Sequence, residues 1–268
     1  WCVLRSIGMR GAWLAGAIFA VHPVHVMSVA WITELKNVLS TIFFLASGLA
    51  LIHFFQIGKR SQISHQGLQA NCKWYWYTLG LVLFVCALLS KTTTALLPLA
   101  LALLLYWKRD AWKLRDLLLF PMLAIGAVFI GITVYLESSY GLGNPSKFSE
   151  TWLERCLIAG RAIWFFTGKL VWPDPLTVIY PRWQIDVRSQ NQYLYPLAVL
   201  VVIGFIWAYR RRIGKGPVIA VAYFIVAIVP MYAIDVAFTR FSFVADHWQY
   251  WASMGLIALF ASVLAPWW

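Results

Sequence analysis

Apolar positions along this chain gather into runs of roughly 17 to 22 residues, the length a helix needs to cross a bilayer. Short polar breaks separate the runs. Ile7 to Ala20 is the first, with Gly8, Gly11 and Gly16 as small residues that permit close helix packing. Pro23 is expected to bend or end that helix near His22, leaving Val24 to Thr33 as a short interfacial helix. Spanning helices are then predicted over Asn37–Ile57, Trp74–Leu89, Ala95–Trp107, Leu117–Leu136, Tyr193–Tyr209, Pro217–Ile234 and Tyr250–Leu264. Between them lie the polar stretch Gly58–Lys73, the hinge Ser90–Thr94, the basic loops Lys108–Arg115 and Arg210–Gly216, the loop Glu137–Thr151 and the polar loop Asp235–Gln249. Trp152–Trp172 is helical in period but carries Glu154, Arg155, Arg161 and Lys169, so it reads as an interfacial or re-entrant helix, stopped by WPDP at Trp172–Pro175.

Composition agrees with a membrane protein. The chain is 62% hydrophobic and only 12% charged, against about 25% charged in a soluble domain. The expected fold is all-α: a polytopic bundle of about eight membrane helices plus the interfacial one, forming a single domain over 1–268. Cys2, Cys72, Cys86 and Cys156 have no metal or redox spacing and imply no disulfide framework. The chain opens at Trp1 with no visible signal peptide and reads as a fragment.

Charge changes the picture further. The net charge of +12 is unevenly spread. With Trp152–Trp172 kept from crossing, one side of the bundle collects 13 basic and two acidic residues, and the other nine basic and eight acidic. Basic residues favour the cytoplasmic side. The positive charge is therefore a topology signal, and the short basic loops contain no nucleic-acid-reading module. The expected location is a multi-pass integral membrane protein of the bacterial inner membrane or the endoplasmic reticulum. Its polar breaks would collect on the extracytoplasmic face.

Those breaks hold the candidate chemistry. His22, His25 and Glu34, in AVHPVHVMSVAWITELKNVLS, could ligate a metal or contact a substrate; a divalent metal is not favoured and no cofactor is certain. Glu34, Lys36 and Asn37 also fit a helix start, with Asn37 as cap. Lys91 either snorkels to the interface or binds phosphate beside Thr92–Thr94. Arg155, Arg161 and Lys169 either meet lipid headgroups or clamp a lipid phosphate; Arg155 and Lys169 share a face and Arg161 does not. Asp246, His247 and Tyr250 form a polar cluster ahead of the last helix.

Four ordered stretches carry a resemblance: FAVHPVHVMSVAWITELKNVLSTIFFLASGLA, LLSKTTTALLPLALALLLYW, GKLVWPDPLTVIYP and VADHWQYWASMGLIAL. Together they resemble the membrane part of the transmembrane and tetratricopeptide-repeat proteins, which are related to the protein O-mannosyltransferases of the C-type glycosyltransferase superfamily. The resemblance implies an extracytoplasmic active site. It implies a polyprenyl-phosphate sugar donor, a protein or glycan acceptor, and inversion at the anomeric carbon. A carboxylate would deprotonate the acceptor and basic groups would stabilise the leaving lipid phosphate. The key acidic residue of that superfamily lies after its first helix, so the base is expected upstream of Trp1, with Glu34 and Asp246 as weaker candidates. Lys91, Arg155, Arg161 and Lys169 are the expected donor-phosphate contacts, and His22, His25, Lys36, His247 and Tyr250 the expected cavity lining. The family's repeat domain is expected outside this chain, which has no 34-residue period. Two rival classes are a transporter or flippase of a lipid-linked intermediate and a non-catalytic membrane scaffold. A transporter should show pseudo-symmetric halves broken near the midplane, whereas the polar breaks here fall near membrane ends.

Overall fold

The computed structural model describes residues 1–58, 72–109, 111–140, 150–233 and 241–265. Among these residues the regular structure is helical, with no strand. Helices α1 (Cys2–Ser6), α2 (Ala12–Val21), α3 (Val26–Ala30), α4 (Leu35–Phe55), α5 (Cys72–Ser90) and α6 (Leu97–Lys108) form the first half. Helices α7 (Leu119–Tyr140), α8 (Trp152–Val171), α9 (Gln190–Ile213), α10 (Gly216–Ile228), α11 (Pro230–Ala233) and α12 (Ser253–Leu264) form the second.

The expected all-α class holds, while the expected count of membrane helices does not. Among the described residues, three helical stretches suit a bilayer crossing by length and apolarity: Ile32–Phe55, Leu114–Glu137 and Gln190–Ile213. A fourth is available if α2 and the Pro23–Ala30 stretch, bent by 55°, count as one. The other predicted spans are shorter helices of 10–17 residues: Trp74–Ser90, Thr92–Lys108, Gly216–Tyr232 and Ser253–Leu264. Polar and proline breaks shorten them. Lys91 adopts extended backbone between α5 and the 3₁₀ turn that leads into α6. Pro230, which has no N–H to donate, opens α11 just past the end of α10.

The first apolar run, Ile7 to Ala20, does not form one helix: Gly8 and Gly11 both take positive φ (68° and 71°), so its start turns the chain between α1 and α2. Gly11 is further constrained by a close approach. A Cβ there would lie 2.5 Å from the Ala261 carbonyl oxygen of α12.

Helices α4 and α5 pack antiparallel. Ser47 Oγ donates to the Gly80 carbonyl at 2.6 Å near mid-length, and Lys91 Nζ donates to Asn37 Oδ1 where α5 ends and α4 begins. Their contact holds the main core, with Leu51, Phe54, Phe84, Leu88, Leu101 and Met122 almost fully buried. Helix α7 returns to the Lys91 end, where Thr133 Oγ1 meets Thr92 Oγ1 at 2.8 Å. A second core joins α8, α10 and the segment before α12 through Phe166, Phe224, Ile228 and Phe243.

Helix α8 begins with a reciprocal cap. Glu154 Oε2 accepts from the Thr151 N–H at 2.7 Å, and Thr151 Oγ1 accepts from the Glu154 N–H at 3.4 Å. It runs unbroken to Val171 and packs closely on α9, where a Cβ on Gly160 would sit 2.8 Å from Pro196 Cα. Large apolar side chains of α7 and α9, among them Val128, Ile132, Leu197, Leu200, Val201 and Phe205, face outward.

Candidate functional site

The Pro23 break works as a joint. His22 takes extended backbone (φ −66°, ψ 124°) and its Nδ1 accepts from the Val24 N–H at 3.3 Å. Its Nε2 therefore carries the proton and donates to the Leu170 carbonyl of α8 at 3.0 Å. His25 Nδ1 donates to the Phe19 carbonyl at 2.7 Å, and its Nε2 meets Ser253 Oγ at 3.0 Å. Both imidazoles tie helices together with both nitrogens engaged. The expected cavity-lining or ligating role gives way to a structural one for these two residues. Among the described residues no group of three or more His, Cys, Asp or Glu side chains is placed to hold a metal ion. Tyr250 joins the same packing, with its ring 5.1 Å from Phe19 and 5.0 Å from His25 between centroids.

Past that joint lies a buried polar nest centred on Asn37. Asn37 is fully buried. Its Nδ2 donates to Glu34 Oε2 at 2.8 Å and Ser28 Oγ at 3.2 Å, and its Oδ1 accepts from Lys91 Nζ. Sequence reasoning expected a helix cap. Asn37 instead sits inside the first turn of α4 and bridges Glu34 to Lys91. Glu34 pairs with Lys36 at 3.3 Å, and the Lys36 side chain is half exposed. Lys91 Nζ also stands 5.2 Å from the Trp251 ring centroid. Burial pushes the Lys91 ammonium down to about 8, with Glu34 partly opposing the shift. At neutral pH Lys91 stays charged, and the nest carries one net positive charge.

His247 Nε2 lies 4.0 Å from Glu34 Oε2. Burial lowers the imidazole to about 4, against the pull of Glu34. The ring is thus neutral at pH 7, and the contact is polar rather than ionic. Gln249, two residues on, is completely buried, and neither atom of its side-chain amide finds a hydrogen-bond partner among the described residues. Such an amide costs about 1–3 kcal/mol when unmet.

Asp246 forms the second nest. Tyr180 Oη lies 3.0 Å from each carboxylate oxygen and 3.0 Å from the Pro175 carbonyl. Lys169 Nζ donates to that same carbonyl at 2.5 Å and stands 5.3 Å from the Tyr180 ring centroid. Asp246 is 3% exposed. Burial raises its proton affinity, while the Tyr180 hydroxyl and Lys169 hold it down. Asp246 borders a groove of about 460 Å³ whose walls are Pro23, Val24, Met27 and Trp31 on one side and Leu176, Thr177 and Val178 on the other. The groove does not include Glu34 or Lys91, so the predicted site residues fall into two adjoining nests, joined by the Asp246–His247 peptide.

The expected phosphate clamp on α8 does not assemble. Arg155 and Lys169 share a face, but 14 residues of helix set them about 21 Å apart. Arg155 turns to the Glu150 and Tyr232 carbonyls at 3.1 and 3.5 Å. Arg161 stacks on Trp183 and Tyr195, at 4.3 and 5.5 Å from their ring centroids. Only Lys169 reaches the polar end near Asp246. Asp235 lies outside the described residues. Tyr180 and Trp251 are site residues that sequence reasoning missed. Their one available signal was their position in the motifs VIYP and DHWQYW.

Comparison of this chain with protein families, curated proteins and solved structures finds no match.

Proposed function

We propose that this chain is a multi-pass membrane protein and forms the membrane part of an inverting glycosyltransferase, with a polyprenyl-phosphate sugar as donor and a protein or glycan hydroxyl as acceptor. Kinship with the transmembrane and tetratricopeptide-repeat proteins, an extracytoplasmic polar face and an interfacial α8 belong to the same reading. The outward apolar faces of α7 and α9 support the membrane setting.

The observation that carries the proposal is the pairing of the two nests. Asp246 is a buried carboxylate of raised proton affinity beside a groove. One residue away, His247 abuts a nest with a surplus cation on Lys91 and Lys36. In the proposed step, Asp246 takes the proton of an acceptor hydroxyl. The acceptor oxygen forms a bond to the anomeric carbon as the bond from that carbon to the phosphate oxygen breaks. The electron pair leaves with the lipid phosphate, whose charge Lys91 and Lys36 offset.

The test is transfer from a radiolabelled polyprenyl-phosphate hexose to a serine-containing peptide by the full-length protein in vesicles. Asp246→Asn should lower the rate by about 100-fold or more while helix content is retained. An Asp246→Asn rate equal to the unaltered protein's removes Asp246 from the chemistry, and absence of transfer by the unaltered protein overturns the enzyme reading.

A further inference from the structure

A second cavity lies outside the two nests, none of whose polar residues line it. It has a volume of about 850 Å³ and lies between α1, α2, α4, α6, α10 and α12, within the range of about 300–1,000 Å³ typical of small-molecule sites. Leu45, Ile52 and Leu104 are among its apolar walls. Its position follows from helix direction. Glu34 precedes α4 and Ile52 lies near its end, 18 residues or about 27 Å along the axis. Helix α6 lines the cavity along its length, from Leu97 to Trp107, so the void runs from the middle of the bundle to the Trp107 end.

The rim is basic and aromatic. Lys215, at the α9–α10 turn, lines the cavity and stands 5.2 Å from the Tyr106 ring centroid. Lys108 Nζ lies 4.0 Å from the centroid of Trp107, and Arg5 lies 5.2 Å from that of Trp1; both tryptophans line the cavity. Asp116, the acidic side chain described at this end, is engaged by Arg109 at 2.7 Å and by the Lys113 N–H at 2.8 Å. An apolar void bordered by Lys215, and by tryptophans that carry Arg5 and Lys108 on their rings, matches a ligand with a hydrocarbon chain and an anionic head.

We infer that this cavity binds an anionic glycerophospholipid, with an acyl chain in the void and the phosphate on the Lys215–Lys108–Arg5 rim. The inference rests on the membrane setting proposed above and is independent of the glycosyltransfer reading, whose residues do not line this cavity.

The experiment is native mass spectrometry of the full-length protein, purified in mild detergent and supplied with phosphatidylglycerol or phosphatidylcholine of identical acyl chains. Phosphatidylglycerol should be retained in preference, and Lys215→Glu should cut that preference by about fivefold or more, while Lys215→Arg keeps it. Ala46→Trp, which fills the cavity from α4, should expel both lipids without loss of helix content or of Lys91-end stability. Equal retention of the two headgroups overturns the inference, as does lipid retention indifferent to Ala46→Trp. Carbonate extraction of the expressing membranes separates the two readings: a protein released into the aqueous phase overturns the membrane setting itself, whereas a membrane-retained protein without headgroup preference overturns only the lipid site.

Discussion

Replacing Asn37 with leucine tests whether the polar nest is a single cooperative unit. Leucine keeps the volume and removes three hydrogen bonds, to Lys91, Glu34 and Ser28. Two of those partners are charged, and a lost hydrogen bond to a charged group costs about 1.5–3 kcal/mol. Glu34 keeps Lys36 at 3.3 Å, a half-exposed partner that water screens. Lys91 keeps the Trp251 ring at 5.2 Å. Breaking a buried charged pair from one side costs about 3–5 kcal/mol, and the surviving partners place the expected loss at the lower end, about 3 kcal/mol. Lys91→Met alone leaves Asn37 Oδ1 buried without its donor. With both changes present, neither group is stranded against the other, so the double variant should be more stable than the sum of the singles by over about 0.5 kcal/mol. Reversible unfolding in mixed micelles, followed by far-ultraviolet circular dichroism, gives all three values. Additive singles, or an Asn37→Leu cost below about 0.5 kcal/mol, would refute the bridging role.

Two further predictions concern pH and packing. Lys91 titrates at about 8 in the fold against an ordinary value of 10.5, so the unfolded chain binds its proton more tightly. Relative to Lys91→Met, stability should therefore rise with pH between those values, by at most about 1.4 kcal/mol per pH unit, and transfer should decline above about pH 8 as the ammonium is lost; parallel pH profiles of the two proteins would exclude Lys91. Gly160→Leu, which forces a side chain against Pro196 from 2.8 Å, should destabilise by about 1–3 kcal/mol, and an unaltered unfolding midpoint would mean that α8 and α9 do not pack as described.

The long helices were legible because their apolar runs are long enough to carry the helix even past Pro196, which sits inside α9. Leu35–Phe55, Leu119–Tyr140 and Gln190–Ile213 match predicted spans to within a few residues at each end. The misread segments failed for local reasons. Gly8 and Gly11 look like packing residues in a run of apolar neighbours, yet their positive φ turns the chain between α1 and α2. Tyr250 to Ala252 look like the start of the last span, but they form the turn that follows the Asp246–Gln249 3₁₀ stretch, and α12 begins at Ser253. Hydropathy sums side chains and is blind to where the backbone reverses.

The site was legible as a set of residues and illegible as a geometry. Lys91 stands out as an ionisable group between apolar runs and Glu34 as a carboxylate at a helix start, but their link depends on Asn37, 54 positions from Lys91 in the chain. No local pattern encodes that distance. Residue type also misled in the opposite direction. HPVH reads as ligand-like because two imidazoles stand three residues apart, yet every ring nitrogen is engaged: His22 caps the local turn at Val24 and reaches Leu170 of α8, and His25 links Phe19 of α2 to Ser253 of α12. The consequence for chemistry is a division of labour. The histidine joint ties the end of α2 to the last turn of α8, and the groove beside Asp246 lies between the two chain segments that leave this joint, with Pro23 and Val24 on one wall and Leu176 to Val178 on the other. A change at His22 should therefore act on the groove without touching a reacting atom, whereas a change at Asp246 acts on the reacting atom and leaves the joint in place.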